Sequence, residues 1–476
     1  MGHRPTGLFV EGQWRESDQR FTVTDKYLRE PIAELAVAGP AQVDAAVGAA
    51  RRAADDPLPP ARRERILLDA AELLEERAAE IERTYVAETG FTLADARTES
   101  ARAVGTLRLC AGEAVRVAGQ EIPVSATPGS ENRLAFTIRV PVGVVGAIAP
   151  FNAPLNTVAH KIGPALAAGN AVVLKPAEAT PLCSIALVEA LHDAGLPPGF
   201  LQLVCGPGET TGAALVADRR IRYFTFTGSS AVGLLVKQRS GIAKTHLELG
   251  ANSASLVGAD ADLDLVAELV ARAGFRKAGQ VCTSVQRLLV HREVLDELTE
   301  RLTARITALR VGDPRDPKTD VGPMIAPAEA QRAREWITEP GGGRVLCGGE
   351  RDGALLSPAL VAEPAPDSHL MCTEIFAPVV AVVPVESMDR AIELMNAGDY
   401  GLQAGIFTRD LDRAFDAARR LRVGGVMVND TSSYHADAMP YGGVKDSGYG
   451  VEGPRYAVED MTDPRIVVFN LRPPRS

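Results

Sequence analysis

The chain has 476 residues, of which 46% are hydrophobic and 24% are charged, a composition typical of a soluble globular protein. At roughly 150 residues per domain, this length predicts about three folding units. Acidic residues outnumber basic ones by 61 to 51, which gives a net charge of −10. This balance argues against a nucleic-acid partner, because binding phosphates needs a basic surface.

The sequence predicts no membrane segment, export signal or metal site. Its longest apolar runs, such as residues 142–150, are far shorter than the roughly 20 residues that span a bilayer. The N-terminal residues 1–7 lack the apolar core of a signal peptide. The six cysteines are scattered without paired spacing, which indicates neither a zinc site nor a disulfide framework. We therefore expect no metal, no membrane partner and a location in the reducing cytoplasm.

The first 140 residues predict strands, helices and a hairpin. Short apolar runs within residues 8–40 are typical of small surface strands. Apolar residues at helical spacing then predict three helices, which begin after Pro40 and cover residues 61–87 and 93–117. Residues 119–140 predict a hairpin that either lies on the surface or crosses to a neighbouring subunit. The last apolar strand, residues 465–470, could pair with such a hairpin.

From Val142 to Gly250, strand and helix patterns alternate strictly. This alternation predicts a parallel sheet covered on both faces, with ligands beyond the carboxyl ends of its strands. The strands are residues 144–148, 171–174, 201–204 and 223–226, and the helices begin near Pro154, Pro181, Thr210 and Ser230. The alternation then continues, with strands at 252–257, 287–290, 379–384 and 404–408 and helices at 263–275 and 294–309 and from Met388 and Leu411.

A cysteine and a glutamate are the strongest candidates for chemistry. Cys282 lies in a polar connection, where catalytic groups are often held, although an inert structural thiol is the alternative. Glu248 lies at an apolar strand end, where desolvation raises the pKa of a carboxyl and suits it to act as a general base near neutral pH. A thiol and a base of this kind are the nucleophile and proton acceptor of covalent catalysis.

Asn152 is a candidate oxyanion donor at the first strand end. Asn156 and His160 follow it at intervals of four residues, so the three side chains are predicted to share one face of a helix whose first turn holds Pro154. An Asn amide can donate to a developing oxyanion. The alternative is that Asn152 is an N-cap.

Two further strand ends carry residues suited to a dinucleotide. Lys175 and Glu178 can hold the hydroxyls of a ribose, and the carboxylate would repel a 2′-phosphate, which favours NAD over NADP. A solvated ion pair is the alternative. Residues 226–233 predict a strand, a glycine turn and a helix whose N-terminal N–H groups attract a pyrophosphate, with Gly228 allowing close approach.

These motifs resemble those of the aldehyde dehydrogenase superfamily, in the family's order and over nearly the whole chain. The matching segments are Pro150–Asn152, Lys175–Glu178, Phe226–Ser229, Leu247–Gly250, Gly279–Cys282, Glu374–Pro378 and Pro440–Gly443. The resemblance implies an α/β fold assembled as a homodimer or homotetramer. Its parts would be a Rossmann-type parallel-sheet cofactor domain (residues 1–120 and 141–247), an α/β catalytic domain (248–445) and a small β oligomerisation hairpin (121–140 with 446–476).

The resemblance also implies the roles of the site residues. Cys282 would attack the aldehyde carbon to form a thiohemiacetal, which becomes a thioester once hydride has passed to NAD. Asn152 and the Cys282 N–H would form the oxyanion hole, and Glu248 would activate the water that releases the carboxylate. The implied cofactor contacts are Lys175, Glu178, Gly208, Gly228, Ser229, Gly233, Glu374 and Phe376, with NAD preferred to NADP.

Two positions depart from the family's pattern. Ala251 stands where many members have a second glycine, which could tighten the approach of the cofactor or shift the glutamate. Val281 leaves no charged neighbour just before Cys282, so a substrate anchored by a cation there is not expected.

The substrate is predicted to be a small hydroxylated or acidic aldehyde, such as lactaldehyde, glycolaldehyde or a semialdehyde. Only 5% of the residues are aromatic, and pockets for aromatic aldehydes are rich in them. The residues expected to line a polar pocket are Arg108, Asn156, His160, Tyr434 and His435. Alternatively, Arg108 and His160 are structural.

Two other functions stay open at this point. A CoA-acylating dehydrogenase would pass the thioester to a thiol, but such enzymes typically lack the base that Glu248 supplies. A catalytically silent cofactor-binding relative would have lost Cys282 or Glu248, and both are present.

Overall fold

The computed structural model of the protein describes residues 6–471. Residues 1–5, on which the expectation of no signal peptide partly rests, and residues 472–476, which end the predicted oligomerisation range, lie outside it.

The first part of the chain forms strands β1 (Leu8–Val10), β2 (Gln13–Arg15), β3 (Arg20–Thr24) and β4 (Pro31–Ala36), helices α1 (Pro40–Ala54), α2 (Pro60–Glu76), α3 (Ala78–Thr89) and α4 (Leu93–Ala114), and strands β5 (Glu121–Ile122) and β6 (Arg133–Pro141).

The long helix predicted over residues 61–87 is two helices. The backbone of Arg77 has φ −91° and ψ 5°, so the chain turns there from α2 into α3. Both segments keep helical spacing of apolar residues, and neither glycine nor proline marks the break, which is why periodicity alone missed it. Helix α4 ends at Ala114, three residues before its predicted end, and begins with a capping box between Thr92 and Asp95.

The predicted parallel sheet follows. It contains β7 (Val144–Ile148), β8 (Ala171–Lys175), β9 (Leu201–Leu203), β10 (Ile221–Thr227) and β11 (Lys244–Glu248), and the helices between them are α5 (Asn156–Ala167), α6 (Leu182–Asp193), α7 (Ala213–Ala217) and α8 (Ser230–Arg239). A short π-helix, Gly208–Gly212, precedes α7. The strand order is β2-β1-β9-β8-β7-β10-β11, and all neighbours from β9 to β11 are parallel. The central strands β7, β8 and β9 are buried on both faces, as expected of a sheet covered by helices.

Helix α5 begins at Asn156 and not at Pro154. Its first N–H groups are satisfied by Glu99 of α4, whose Oε1 accepts from the backbone of Leu155 at 3.4 Å and of Asn156 at 2.9 Å. Because this cap comes from a distant helix, the local sequence could not indicate where the helix starts. Asn152 therefore lies in the loop before the helix, and the prediction that it shares a helix face with Asn156 and His160 is wrong.

The second half of the chain builds a seven-stranded sheet in the order β14-β17-β18-β13-β12-β20-β21, parallel except at β14. Its core is separate from that of the first sheet. The strands are β12 (Ala254–Val257), β13 (Arg287–His291), β14 (Arg344–Cys347), β15 (Arg351–Asp352), β16 (Leu355–Leu356), β17 (Ala359–Ala362), β18 (Val379–Val385), β19 (Tyr400–Gly401), β20 (Gln403–Phe407) and β21 (Gly425–Val428). The helices are α9 (Leu263–Phe275), α10 (Leu295–Thr307), α11 (Pro327–Thr338), α12 (His369–Cys372), α13 (Met388–Ala397) and α14 (Leu411–Arg420).

The end of the chain returns to the first half. It forms β22 (Val444–Lys445), β23 (Gly448–Tyr449), α15 (Pro454–Asp460) and β24 (Thr462–Asn470). Strand β23 adds to the edge of the first sheet beside β11, and β24 pairs antiparallel with β6 along its whole length in the three-stranded order β24-β6-β5. The last strand therefore pairs with the hairpin of its own chain. No helix within residues 6–471 is long and apolar enough to cross a membrane. The domain boundaries stay a prediction.

Candidate active site

A cavity of about 1080 Å³ lies at the carboxyl ends of the first sheet's strands. Its walls come from the connections after β7, β8, β10 and β11, from the segment after α9, and from the loop between β21 and β23. Cys282, Glu248 and Asn152 all line it. The strand ends of the first sheet contribute the residues predicted to bind the cofactor, whereas α4, α5 and the late loop contribute polar side chains of several kinds.

The segment that carries Cys282 begins with a strained turn. Lys277 and Ala278 have positive φ angles of 53° and 52°, which residues other than glycine rarely adopt. Gly279 follows at φ 68°, and a Cβ there would lie 2.0 Å from the carbonyl oxygen of Ala377. Backbone strain of this kind persists only where surrounding contacts hold it.

A buried ion pair supplies those contacts. The Lys277 Nζ donates to Glu99 Oε2 and to the carbonyl oxygen of Asn152, both at 2.9 Å. Glu99 also caps α5 at Asn156, so one carboxylate ties together the helix start, the Asn152 loop and the turn before Cys282. We call Lys277, Glu99 and the Asn152 carbonyl the clamp.

Cys282 is half-buried, and its Sγ lies 2.9 Å from the hydroxyl oxygen of Tyr441. Burial raises the pKa of the Cys282 thiol to about 12, against the lowering effect of the Tyr441 hydrogen bond. The sulfur is thus a thiol at neutral pH, and a base must take its proton before or during attack on a carbonyl.

Asn152 donates through Nδ2 to the carbonyl oxygen of Gln280 at 2.8 Å. Its side chain does not cap α5, whose N-cap residue is Leu155, so the N-cap alternative is excluded. The amide is instead fixed against the nucleophile segment, two residues before Cys282. An amide carries two N–H donors, so one is available to a developing oxyanion in this cavity.

Glu248 is buried at the end of β11. Its Oε1 lies 3.0 Å from His246 Nε2, whereas its Oε2 has no hydrogen-bond partner within the described part of the chain. Burial raises the pKa of Glu248 to about 7, the direction that its apolar sequence context predicts. A carboxyl with one free oxygen and a pKa near neutrality is suited to general base catalysis.

Lys175 and Glu178 lie together at the end of β8, with Nζ and Oε1 2.9 Å apart. They line the cavity with Gly208, Gly228 and Ser229. Gly233 does not line it: its Cα faces Leu249, and a Cβ there would lie 2.2 Å from Leu249 Cδ2. The small size of Gly233 serves packing between α8 and the strand end, and its contact with the cofactor stays a prediction.

The cofactor end has the features that a dinucleotide needs. Helix α8 begins at Ser230 beside the cavity, with Ser229 Oγ capping it through the backbone N–H of Val232. Its N-terminus can attract a pyrophosphate, while the Lys175–Glu178 pair offers a donor and an acceptor to a ribose. The residues present therefore fit a nicotinamide dinucleotide.

Glu374 and Phe376 line the same cavity on the side of the second sheet. Glu374 accepts a hydrogen bond from the backbone N–H of Ala251 at 3.0 Å, and burial raises its pKa to about 7. The Phe376 ring packs edge-on against Phe151, with centroids 5.8 Å apart. The alanine that replaces the family's second glycine thus uses its backbone to hold Glu374.

Asp437 organises the other end of the cavity, although no sequence pattern pointed to it. Its Oδ1 accepts from Arg102 Nη2 at 2.7 Å and Asn156 Nδ2 at 3.1 Å, and lies 2.9 Å from His160 Nε2. Burial acts to raise the pKa of Asp437, but the hydrogen bonds from His160 and Arg102 hold it well below its ordinary value. Arg102 also contacts His435, and burial lowers the pKa of His435 to about 4.

Two residues predicted for the pocket lie elsewhere. Arg108 is exposed and pairs with Glu75 at 2.6 Å, so the alternative that it is structural holds for this residue. Arg102, six residues earlier on α4, faces the cavity instead, because six residues turn a helix by about 600° and thus to a different face. Tyr434 is 50% exposed and does not line the cavity, although its neighbour His435 does.

Arg276 is a second cavity residue that the sequence did not single out. Its Nε and Nη2 donate to Ser433 Oγ at 3.3 and 2.9 Å, and among residues 6–471 no carboxylate forms an ion pair with it. Burial lowers the pKa of Arg276. Its position six residues before Cys282, on the same segment, was the signal that could have found it.

The six cysteines all lie within residues 6–471, and none of them forms a disulfide bond. In the described ranges, no group of His, Cys, Asp and Glu side chains has the geometry to hold a metal ion.

The chain was compared with known proteins. The model of the aldehyde dehydrogenase family matches residues 14–467. A 3-sulfolactaldehyde dehydrogenase from Priestia aryabhattai is 46% identical over 467 residues, covering 98% of both chains. The crystal structure of aldehyde dehydrogenase 21 from Physcomitrella patens, in complex with the reaction product succinate, has a TM-score of 0.95 at 35% identity and covers 98% of this chain and 99% of its own.

A third similar protein was solved with a cofactor. The NADP-dependent glyceraldehyde-3-phosphate dehydrogenase of Bacillus halodurans C-125, complexed with NADP, has a TM-score of 0.96 at 34% identity and covers 99% of this chain and 100% of its own. These likenesses confirm the predicted α/β fold, with its parallel-sheet cofactor part and its second α/β sheet.

Proposed function

This chain belongs to the aldehyde dehydrogenase family, and from that premise we propose that it oxidises a small hydroxyaldehyde bearing an anionic group. It is an oxidoreductase that converts an aldehyde to its carboxylate with a nicotinamide cofactor. The observation that carries the proposed substrate is Arg276, a cavity arginine that forms no ion pair with a carboxylate among residues 6–471.

At the substrate end, one cation forms no ion pair with a carboxylate among residues 6–471. Arg102 is paired with Asp437, and Lys277 is paired with Glu99, whereas Arg276 donates only to a serine hydroxyl. A guanidinium binds a carboxylate or sulfonate with two parallel hydrogen bonds, which makes an anionic substrate group its natural partner. Val281 carries no charge and Lys277 is paired with Glu99, so Arg276 is the cation of the nucleophile segment that is left to bind an anion.

A hydroxyl on the substrate would meet the amide and imidazole groups of Asn156 and His160, which line the same end. The relative that is 46% identical is named for 3-sulfolactaldehyde, a three-carbon aldehyde with a hydroxyl and a sulfonate. Sulfolactaldehyde and small carboxylated semialdehydes therefore share the chemistry that we propose. They differ in the shape of the anion, which an assay can separate.

The proposed steps use three residues. The Cys282 thiol gives its proton to Glu248, which passes it on to solvent, and the sulfur attacks the aldehyde carbon while Asn152 Nδ2 and the Cys282 N–H stabilise the oxyanion. A bound nicotinamide would supply the hydride acceptor, and loss of the hydride would leave the acyl group on the sulfur as a thioester. Glu248 then takes a proton from water, whose oxygen attacks the acyl carbon and releases the carboxylate.

We assign the cofactor as NAD, held by Lys175 and Glu178 at the ribose and by Gly208, Gly228 and Ser229 near the pyrophosphate and adenine. Glu374 and Phe376 would contact the nicotinamide side. Glu178 favours NAD, because its carboxylate would lie against a 2′-phosphate. The similar enzyme of Bacillus halodurans is NADP-dependent, so the ratio of turnover with NAD to turnover with NADP tests this assignment.

We further propose that the protein is a homodimer or homotetramer in the cytoplasm. The sheet of β24, β6 and β5 exposes a set of apolar side chains, and such a surface favours association. Its members are Leu134, Ile138, Ile466, Val468 and Phe469. Six cysteines that form no disulfide bond fit a reducing compartment.

The test is formation of reduced nicotinamide by the purified protein with a panel of aldehydes. The panel holds lactaldehyde, glycolaldehyde, sulfolactaldehyde, succinic semialdehyde and benzaldehyde, each with NAD or NADP and with or without CoA. We expect turnover without CoA that is fastest for the anionic aldehydes and absent in Cys282→Ala. Turnover that requires CoA would contradict the role of Glu248 and favour an acylating dehydrogenase. Cofactor binding without any turnover would favour a silent relative.

Arg276→Leu is the sharper test of the substrate class, and Arg108→Leu is its matched control. Loss of a charge-assisted hydrogen bond costs about 1.5–3 kcal/mol, so we expect kcat/KM for anionic aldehydes to fall about 10- to 100-fold in Arg276→Leu. Lactaldehyde turnover should change much less. Arg108→Leu should change neither, since it lies outside the cavity. An unchanged substrate ranking in Arg276→Leu would contradict the anionic substrate.

A further inference from the structure

A buried histidine lies next to Glu248 and has no part in the proposed steps. Because side chains alternate along a strand, His246 and Glu248 of β11 lie on the same face. In β10, which runs parallel beside β11, Thr225 is the register partner of His246. Thr225, His246 and Glu248 are all buried. Two neighbouring strands thus bring three buried polar side chains together beside the cavity.

These side chains form one hydrogen-bonded chain with Lys161 of α5. Lys161 Nζ donates to Thr225 Oγ1 at 3.1 Å, and Thr225 Oγ1 lies 3.4 Å from His246 Nδ1. His246 Nε2 lies 3.0 Å from Glu248 Oε1. The chain ends at Glu248, whose Oε2 has no hydrogen-bond partner among the described residues.

The direction of each hydrogen bond follows from the donor at the far end. A lysine ammonium can only donate, so the Thr225 oxygen accepts from Lys161 and its own proton is free to point at His246 Nδ1. The Nδ1 atom then accepts, which makes Nε2 the nitrogen that carries hydrogen. Nε2 therefore donates to Glu248 Oε1. The tautomer is assigned from this network.

The His246 ring packs against a glycine, Gly450. Gly450 has φ 93°, and a Cβ there would lie 2.9 Å from His246 Cδ2, so any side chain at 450 would push the ring away from Glu248. The loop that brings Gly450 also pairs β23 with β11 at Leu247 and Glu248. The position of His246 is thus determined from both sides.

We propose that His246 is a positioning residue for Glu248, which holds the carboxylate by Oε1 so that Oε2 is presented as the atom that takes the proton from water. This role rests on the proposed function of Glu248 as the base. During hydrolysis, the water oxygen bonds to the acyl carbon and a water proton passes to Oε2. The C–S bond then breaks with its electron pair on the Cys282 sulfur.

The groups that face Glu248 determine how its pKa responds. Burial raises that pKa, the His246 hydrogen bond lowers it, and the charges of Glu452 and Lys161 act in opposite directions. Cys282 and Tyr441 also face the same space. Without the hydrogen bond from His246, the effect of burial is opposed less strongly, so the pKa of Glu248 rises further.

The test is hydrolysis of p-nitrophenyl acetate, which acylates Cys282 without a cofactor and regardless of the natural aldehyde. The burst of nitrophenol counts the reactive thiol, and the steady rate that follows measures deacylation. In His246→Leu we expect the burst amplitude to stay unchanged. The midpoint of the acid limb, in the plot of deacylation rate against pH, should move about one pH unit higher, because Glu248 loses one hydrogen bond to its charged form. Deacylation at pH 7 should fall about fivefold and recover toward pH 9.

His246→Gln is the matched variant, because its amide nitrogen can reach the place of Nε2 and donate. It should return the acid limb to within about 0.3 pH units of the wild-type position. Thr225→Val, which removes only the hydroxyl that fixes the tautomer, should shift the limb in the same direction by less. It also keeps the proposal testable if His246→Leu does not fold.

An unchanged profile in His246→Leu and Thr225→Val would overturn the proposal, as would an equal loss of rate at every pH. A variant that is not rescued by glutamine would also overturn it. These outcomes differ from a failure of the proposed function, which would appear as a burst that persists in Cys282→Ala.

Discussion

At the scale of single residues, the pKa of Glu248 leads to a prediction about pH. Burial raises this pKa to about 7, so the carboxyl is protonated below that pH and cannot accept a proton from water. We expect deacylation of the nitrophenyl ester to increase as the pH rises through about 7. The same shift lowers the stability of the folded state as the pH rises from the ordinary carboxyl range to about 7, because the folded protein holds the proton more tightly.

Variants must show which of two buried carboxyls causes the pH dependence of deacylation. Burial also raises the pKa of Glu374 to about 7, so either residue could produce the acid limb. Glu248→Gln should lose the limb and slow deacylation about 100-fold or more, the contribution of a general base. Glu374→Gln should keep the limb in the cofactor-free ester assay. The opposite pattern would remove Glu248 from the role of base.

Glu178 determines the expected cofactor preference. Glu178→Gln removes the charge that would repel a 2′-phosphate, while Lys175 stays to attract it. We expect kcat/KM for NADP to rise about tenfold and that for NAD to fall, measured with one aldehyde at fixed ionic strength. Glu268→Gln, an exposed carboxylate on α9, is the control and should change neither value. A wild-type enzyme that prefers NADP would contradict the assignment of NAD.

At the scale of elements, the turn between α9 and Cys282 depends on the clamp. Glu99→Gln leaves the Lys277 charge buried without its partner, which costs about 3–5 kcal/mol. We expect a lower free energy of unfolding by urea denaturation and a smaller burst with the nitrophenyl ester. The double change Glu99→Leu with Lys277→Met should recover much of the stability, because no buried charge remains unpaired. It should not recover the burst, because the Asn152 carbonyl loses its donor. Recovery of both would mean that the clamp affects stability only.

Some helices begin where their local sequence predicts, and others begin where a distant residue caps them. Helices α13 and α14 begin at Met388 and Leu411 as predicted, and Ser387 and Asp410 cap them through their side chains. Caps of this kind can be recognised from the local sequence. Helix α5 departs from its predicted start because its cap is Glu99, 57 residues earlier in the chain.

At the scale of the whole molecule, the exposed apolar sheet of β6 and β24 predicts association. Wild-type protein should sediment as a dimer or tetramer of the 50.4 kDa chain. Introducing charge at the double site Ile466→Lys with Phe469→Lys should shift the population to smaller species, because burying those charges opposes the contact. Leu411→Lys, at an exposed leucine of α14, is the control and should leave the mass unchanged. A monomeric wild-type protein would contradict the proposed assembly.

The sequence by itself determined the two α/β halves and the residues at their strand ends. Parallel strands buried on both faces appear as short apolar runs, and the residues just after them are recognisable as Asn152, Lys175, Glu178 and the glycine turn at Gly228. Cys282 and Glu248 were found in the same way, because a polar segment or an apolar strand end is a local pattern.

Only the tertiary structure decided the substrate end. Arg102 and Asp437 are 335 residues apart, and their contact depends on how α4 packs against the late loop. Arg108 has the same chemistry as Arg102 but lies on a different face of the helix, which periodicity cannot assign without knowing what the helix packs against. Arg276 is a candidate for binding an anion because no carboxylate within residues 6–471 forms an ion pair with it, a property of the folded arrangement that no single segment contains.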